Sequence, residues 1–320
     1  MAAIDQVAVW VPPDLVPVSS LPERASFDEQ DLAVVDSLGI STVAESGLPG
    51  AELAANAAGE LINAGVDPEQ VDALIVVQGR VPEMLMTSEA TRVQSIAGLA
   101  KAPTFSVGDL GCVSINAALA VGSALVNSGG AKTVMLVHGS KPPAPKRYRK
   151  PVTINGEGGI AMTLTADGPI EIVDSHLESN GEYWDLYRVD YKDKPEAEWV
   201  EEAKSLKTYS FQLAVESRNR FRAINEMILE RNGLALGNIQ HFVMQNLSLG
   251  AFRFYEELLG ITFARACYDN LGRYGHLGSM DIVLNLKTGI DSGEFSKGDQ
   301  ILVMNNSPVA AWASLLIRIR

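Results

Sequence analysis

The 320-residue chain is expected to fold as an α/β protein made of two similar halves. Three observations lead there. Apolar runs of strand length alternate with longer segments of helical periodicity, the pattern of sheets covered by helices. The order and approximate spacing of these segments recur in the second part of the chain, as a duplicated unit requires. The composition, 47% hydrophobic, supplies enough apolar material for one large core or two medium ones.

In the first half an alanine-rich helix over about 50–65 precedes a strand over 72–78. A helix beginning near Cys112 follows, then a strand over 133–138. In the second half a long helix over about 208–232 precedes a strand over 240–245. A helix starting near His276 follows, then a strand over 300–305. The halves are placed at 1–165 and 206–320. Between them, 166–205 is polar and carries Tyr183, Trp184, Tyr187, Tyr191 and Trp199, so it reads as an insertion or cap. In a duplicated pair the ends of equivalent strands and helices meet at one central site.

Charge and composition exclude several roles. A net charge of −13 argues against free nucleic acid as a partner, because phosphates need a basic surface. No apolar run reaches the roughly 20 residues of a membrane span. The start, MAAIDQVAVWVPPD, lacks the basic opening and long apolar stretch of a secretion signal. Cys112 and Cys267, the two cysteines, form neither a metal-ligand spacing nor a disulfide framework. No metal is expected, and a reducing cytoplasm fits best.

The segment Ser106-Val-Gly-Asp-Leu-Gly-Cys112 ends an apolar run at a glycine, and an alanine-rich helical pattern opens at the cysteine. Unpaired N–H groups and the helix dipole at such a position favour thiolate over thiol. A thiolate there can carry an acyl group as a thioester. A buried, inert cysteine is the competing reading, and the segment alone leaves both open.

The Cys112 segment is one of four that carry a family resemblance. The others are Asn155-Gly-Glu-Gly-Gly159, Asn270-Leu-Gly-Arg-Tyr-Gly-His-Leu-Gly-Ser279 and Gly298-Asp-Gln-Ile-Leu-Val-Met-Asn-Asn-Ser-Pro308. On them the chain resembles the ketoacyl-ACP synthase III group of the thiolase superfamily over nearly its whole length. The resemblance implies a five-layered αβαβα fold with duplicated halves, a homodimer and acyl-thioester substrates. No permanently bound cofactor is implied; acyl-CoA or an acyl-phosphopantetheine carrier would be the donor.

The departures from the family are informative. Its condensing members use a Cys-His-Asn triad, and Cys112 matches the cysteine. The family histidine follows the strand at 240–244, where this chain has Gln245. The family asparagine follows Arg-Tyr-Gly, where this chain has His276. One site histidine is lost and another gained. A histidine facing the thiolate suits proton removal from an incoming alcohol or amine. Gln245 would assist the thioester oxygen. Asn306, in the glycine-rich C-terminal loop of the family, is the candidate to orient His276, with adjacent Asn305 as substitute; both asparagines could instead merely close a turn. Pro308 stands where the family loop supplies an N–H to the oxyanion hole, and proline has none.

The segment 141–150 holds five basic residues in an acidic chain. Lys146, Arg147 and Arg149 are candidates to contact the phosphates of coenzyme A or phosphopantetheine, or an acidic carrier protein. A solvated surface loop is the alternative. His138 is expected to be a satisfied strand-end histidine, His176 solvated, His241 near the surface and Cys267 in the core. The expected function is therefore acyl transfer from a carrier-protein or coenzyme A thioester through Cys112 to an alcohol or amine, in specialised metabolism. A decarboxylating condensing enzyme and a non-catalytic scaffold of the same fold are the alternatives.

Overall fold

A computed structural model describes residues 2–79 and 82–320. Nine strands form its main sheet: β1 (Ala3–Trp10), β2 (Ala73–Val77), β3 (Thr104–Val107), β4 (Val134–Ser140), β5 (Gly158–Thr165), β6 (Ile170–Ser179), β7 (His241–Met244), β8 (Gln300–Ser307) and β9 (Ala311–Ile319). The helices are α1 (Glu29–Ser37), α2 (Gly50–Asn63), α3 (Glu89–Ile96), α4 (Ser114–Asn127), α5 (Leu213–Arg231), α6 (Leu249–Leu259), α7 (Arg265–Tyr274) and α8 (Asp281–Asp291).

The strand order is β7-β8-β9-β6-β1-β5-β4-β2-β3. It divides where β1 meets β6 through two residue pairs only, Ala3 with Glu171 and Ile4 with Ile170. On one side the order is β3-β2-β4-β5-β1. On the other, β7-β8-β9-β6 repeats it, and an isolated parallel bridge from Phe263 to Phe242 in β7 stands where β3 would be. The duplication expected from the sequence is therefore present strand by strand.

Five layers follow from the side-chain alternation of the strands. Leu74 and Val76 of β2 face one way and pack with the alanines of α2. Ile75 and Val77 face the other way and pack with Ile115, Ala118 and Leu119 of α4. The layers run α2 and α3, then β1–β5, then α4 and α8, then β6–β9, then α5 and α6. The central helices are apolar on most of their surface: Ile282, Val283, Leu284 and Leu286 of α8 are all buried.

The segment 166–205 divides differently from expectation. Residues 170–179 are not an insertion but β6, paired with β9 along its length. Its polar look has a physical cause. Arg318 and Arg320 pair with Glu171, Arg231 with Asp174, and Arg220 with Glu178. Only the remainder, around Tyr187 and Glu201, behaves as a cap over the cavity described below. Among the described residues no helix is long and apolar enough to cross a membrane.

The outer layer depends on two glycines. A Cβ on Gly159 of β5 would overlap the Leu53 carbonyl of α2, and one on Gly139 of β4 would overlap the Gly50 carbonyl. Backbone cannot rotate aside, so α2 would have to lift off the sheet. Gly159→Ala is expected to destabilise the fold by about 1–3 kcal/mol, as overpacking does. Gly181→Ala, with open space around it, serves as the control. A urea midpoint equal for the two variants would contradict this account.

Candidate active site

Cys112 sits in a short 3-10 turn, Gly111–Val113, that leads from β3 into α4. The turn is sharp: Asp109 has φ 76° and Gly111 φ 55°. Glycine is needed at 111 on a second count, because a side chain there would collide with the Ser307 hydroxyl. Asn305 of β8 holds the nucleophile's backbone by donating to the Cys112 carbonyl (2.8 Å) and to Asn116 Oδ1 (2.9 Å).

His276 lies close to the corresponding turn in the second half, bridged to Asn155. It precedes a matching 3-10 turn, Gly278–Met280, that leads into α8. The two turns touch, and Ser279 Oγ donates to the Gly111 carbonyl at 3.0 Å. The duplication thus brings two helix starts together, one with the thiol and one with the imidazole. The His276 backbone is gripped by 154–156: its N–H donates to Ile154 O (2.9 Å), and its carbonyl accepts from Gly156 N (2.9 Å).

Cys112 Sγ lies 3.4 Å from His276 Nε2, and His276 Nδ1 lies 2.6 Å from Asp281 Oδ2. All three are buried. The expected orienting role of Asn306 is corrected here: Asp281, the first residue of α8, takes it. Asn306 Oδ1 accepts instead from Gln245 Nε2 at 2.5 Å. Asn305 does not contact the imidazole either, since its amide is committed to Cys112 and Asn116. Asp281 accepts two further hydrogen bonds, from Leu277 N (2.7 Å) and Asn246 N (3.0 Å). An acid at a helix start reads from sequence as dipole compensation, which hid this residue. The signal present was an aspartate five positions after the histidine.

The electrostatics follow. Burial disfavours the charged imidazolium, but the Asp281 carboxylate and the Cys112 charge outweigh it. The pKa of His276 is pushed up to about 9. Burial also pushes the Asp281 carboxyl above its ordinary value, against the pull of His276 and the two backbone N–H groups.

Cys112 and His276 line a cavity of about 350 Å³, along with Asp109, His138, Arg149, Asn155, Tyr187, Glu201 and Pro308. His138 is buried at the end of β4 with Nδ1 2.8 Å from Val77 O, as a strand-end histidine should be. His176 is half-buried beside Glu178, and His241 pairs with Asp299. Cys267 is in the core, where burial pushes its thiol up to about 12. Pro308 lies on the cavity wall without an N–H, and the next two N–H groups, of Val309 and Ala310, turn back to Ser307.

Gln245 does not border this cavity. Both of its amide contacts go to Asn306, the carbonyl (2.7 Å) and the side chain. With Asn306 it lines a second cavity of about 290 Å³, also bounded by Tyr209, Leu247 and Tyr255. The expectation that Gln245 assists a thioester oxygen at Cys112 therefore fails on its hydrogen bonding.

The basic segment is corrected as well. Lys146 is exposed, but Arg147 and Arg149 are buried and form no surface patch. Arg147 pairs with Glu157 (2.6 Å) and Glu45 (3.3 Å), and its Nη1 donates to Asn155 O. It braces the strand that grips His276. Arg149 faces both cavities.

A thiol, an imidazole and a carboxylate stand in line at the seam of a duplicated αβαβα fold, a thiolase-like architecture with a Cys-His-Asp centre. Comparison with known proteins narrows this. Residues 229–319 match the family model described as 3-oxoacyl-[acyl-carrier-protein (ACP)] synthase III C terminal. A β-ketoacyl-[acyl-carrier-protein] synthase III of Campylobacter jejuni is 23% identical over 322 residues, covering 99% of this chain and 97% of that protein. The structure of ChlB3, described as an acyltransferase, aligns with TM-score 0.83 at 18% identity, over 99% of this chain and 97% of the other. The 3-oxoacyl-[acyl-carrier-protein] synthase III of Aquifex aeolicus aligns with TM-score 0.83 at 19% identity, over 99% and 100%. The C-terminal part of the chain thus matches the ketoacyl-ACP synthase III family model, and the whole chain shares the fold of these structures.

The His276 environment makes a direct prediction. By nuclear magnetic resonance its imidazole should titrate near 9. In Asp281→Asn the largest raising influence is gone while burial remains, so titration should move well below that. An unchanged titration would show that Asp281 does not govern the base.

Proposed function

We propose that this chain is an acyltransferase working through a Cys112 thioester, with His276 as acid and base and Asp281 as the group that orients it. The observation that carries this reading is the buried Cys112–His276–Asp281 line, whose thiol and imidazole form part of the wall of a partly open cavity. Such a line costs stability, because three ionisable groups are desolvated together. It is the arrangement that nucleophilic catalysis requires.

Two half-reactions follow. In the first, the Cys112 thiolate attacks the thioester carbonyl. The new C–S bond forms, the donor's C–S bond breaks, and the departing thiolate takes the proton from His276 Nε2. In the second, an acceptor hydroxyl or amine gives its proton to Nε2 as it attacks the acyl carbon. The Cys112 C–S bond breaks, and the thiolate–imidazolium pair is restored. The Asp281 carboxylate holds Nδ1–H throughout, so Nε2 faces the sulfur.

A decarboxylating condensation, the reaction in the names of several relatives, fits the geometry less well. It needs two polar donors on an enolate oxygen. Gln245, at the position of the family's histidine, spends its amide on Asn306. We take the donor to be a coenzyme A or phosphopantetheine thioester. We take the active form to be a cytoplasmic homodimer in specialised metabolism.

Intact-protein mass spectrometry with a panel of acyl thioesters should show one acyl adduct per chain. Cys112→Ala should abolish it, and an adduct that persists would end the covalent mechanism. In single-turnover kinetics His276→Ala should slow transfer to the acceptor by roughly 100-fold to 10,000-fold, the usual worth of a general base. Asp281→Asn should give a milder defect of the same kind. Carbon dioxide release from malonyl thioesters in step with turnover would favour condensation instead.

A further inference from the structure

Arg149 is a buried cation at the site that the mechanism leaves unused. It is 1% exposed and lines both the Cys112 cavity and the second cavity, beside Pro308 in each. Its Nε has no hydrogen-bond partner. Among the described residues its one ion pair is long, Nε to Glu201 Oε2 at 4.0 Å, and Glu201 Oε1 already accepts from Asn155 Nδ2 at 3.0 Å. The guanidinium carbon lies 5.2 Å from the centre of the Tyr187 ring, which fixes the plane of the group.

A desolvated guanidinium is costly unless an anion completes it. Its fork matches a carboxylate, with two parallel N–H groups meeting two oxygens. Glu201 meets only the Nε edge, and at 4.0 Å, so a carboxylate for the fork has to come from what occupies the cavity. Cys112 lines the same cavity, so an acyl group on its sulfur enters the space that Arg149 borders.

We propose that Arg149 is a specificity residue that receives a carboxylate on the acyl group carried by Cys112, so that the favoured donors are half-thioesters of short dicarboxylic acids. This rests on the acyl-transfer reading above, and it names the substrate class of that site. Tyr187 holds the guanidinium flat from one side. Glu201, tied by Asn155, stands at the Nε edge. The terminal nitrogens remain for the ligand.

The test separates the anion site from the transfer reaction by using alkylating probes. Iodoacetate carries a carboxylate and iodoacetamide is its neutral counterpart. Each forms a C–S bond at Cys112 with loss of iodide. Arg149→Met removes a cation that favours the Cys112 thiolate and so slows both reagents, but it should lower the ratio of the iodoacetate rate to the iodoacetamide rate about 10-fold to 100-fold, the worth of a charge-assisted hydrogen bond. Continued reaction with iodoacetamide reports that the variant is folded. Arg149→Lys keeps the charge and loses the fork, and should fall between. In the unaltered protein, malonyl and succinyl thioesters should load Cys112 at least about 10-fold faster than their neutral methyl esters. Equal loading of the esters would overturn the proposal, as would an iodoacetate preference that Arg149→Met leaves unchanged. Equal slowing of all thioesters in that variant would mark Arg149 as a donor to the thioester oxygen instead, and would also overturn it. If the alkylation preference depends on Arg149 while no thioester loads, the anion site stands and the acyl-transfer reading falls.

Discussion

The site is organised around one buried carboxylate. Asp281 binds the imidazole of His276, the N–H of Leu277 and the N–H of Asn246. Those three contacts tie the start of α8, the turn that carries the base and the chain leaving β7 to a single point. A carboxylate in that position is strongly desolvated, and the contacts compensate it with two backbone donors, a cation and the positive end of α8. Removing it would do more than weaken a base. It would free the segment that sets where the imidazole stands relative to the thiol.

The second constraint is the duplication itself. Each half builds the same strand order and sends a 3-10 turn into a central helix. Because β1 and β6 join the halves back to back, the two turns meet, and Ser279 closes on the Gly111 carbonyl. The chemistry is asymmetric on a symmetric frame: one turn supplies the sulfur, and the nitrogen comes from His276, two residues before the other. Glycines at 111, 275 and 278, all with positive φ, make both approaches possible.

Much of this was legible in the sequence. The alternation of strand and helix, the repeated order and the helix-start contexts of Cys112 and His276 all appear in the structure where they were expected. What was not legible depended on partners distant in the chain. Asp281 was not singled out because its contacts with His276 and with the N–H of Asn246 are set by folding. Arg147 and Arg149 looked like a basic loop because Glu45 and Glu201 lie far away in sequence, and Glu157, ten residues from Arg147, is brought to it only by folding. The strand 170–179 looked like a cap because arginines at 220, 231, 318 and 320 meet its acidic residues only after folding. Asn306 was misassigned for the opposite reason: its place in a family loop was read as a direction, and Gln245 turns its amide elsewhere.

The raised pKa of His276 has a temporal meaning for the proposed reaction. Two groups hold its proton, the Asp281 carboxylate and the charge on Cys112. A thioester at Cys112 carries no charge. Once the acyl group is on the sulfur, only Asp281 still favours the imidazolium, while burial continues to oppose it. The same ring is then a weaker holder of protons in the loaded state than in the free one. An enzyme built this way needs no moving lid to change its acid into a base, because the covalent bond it has just made resets the ring.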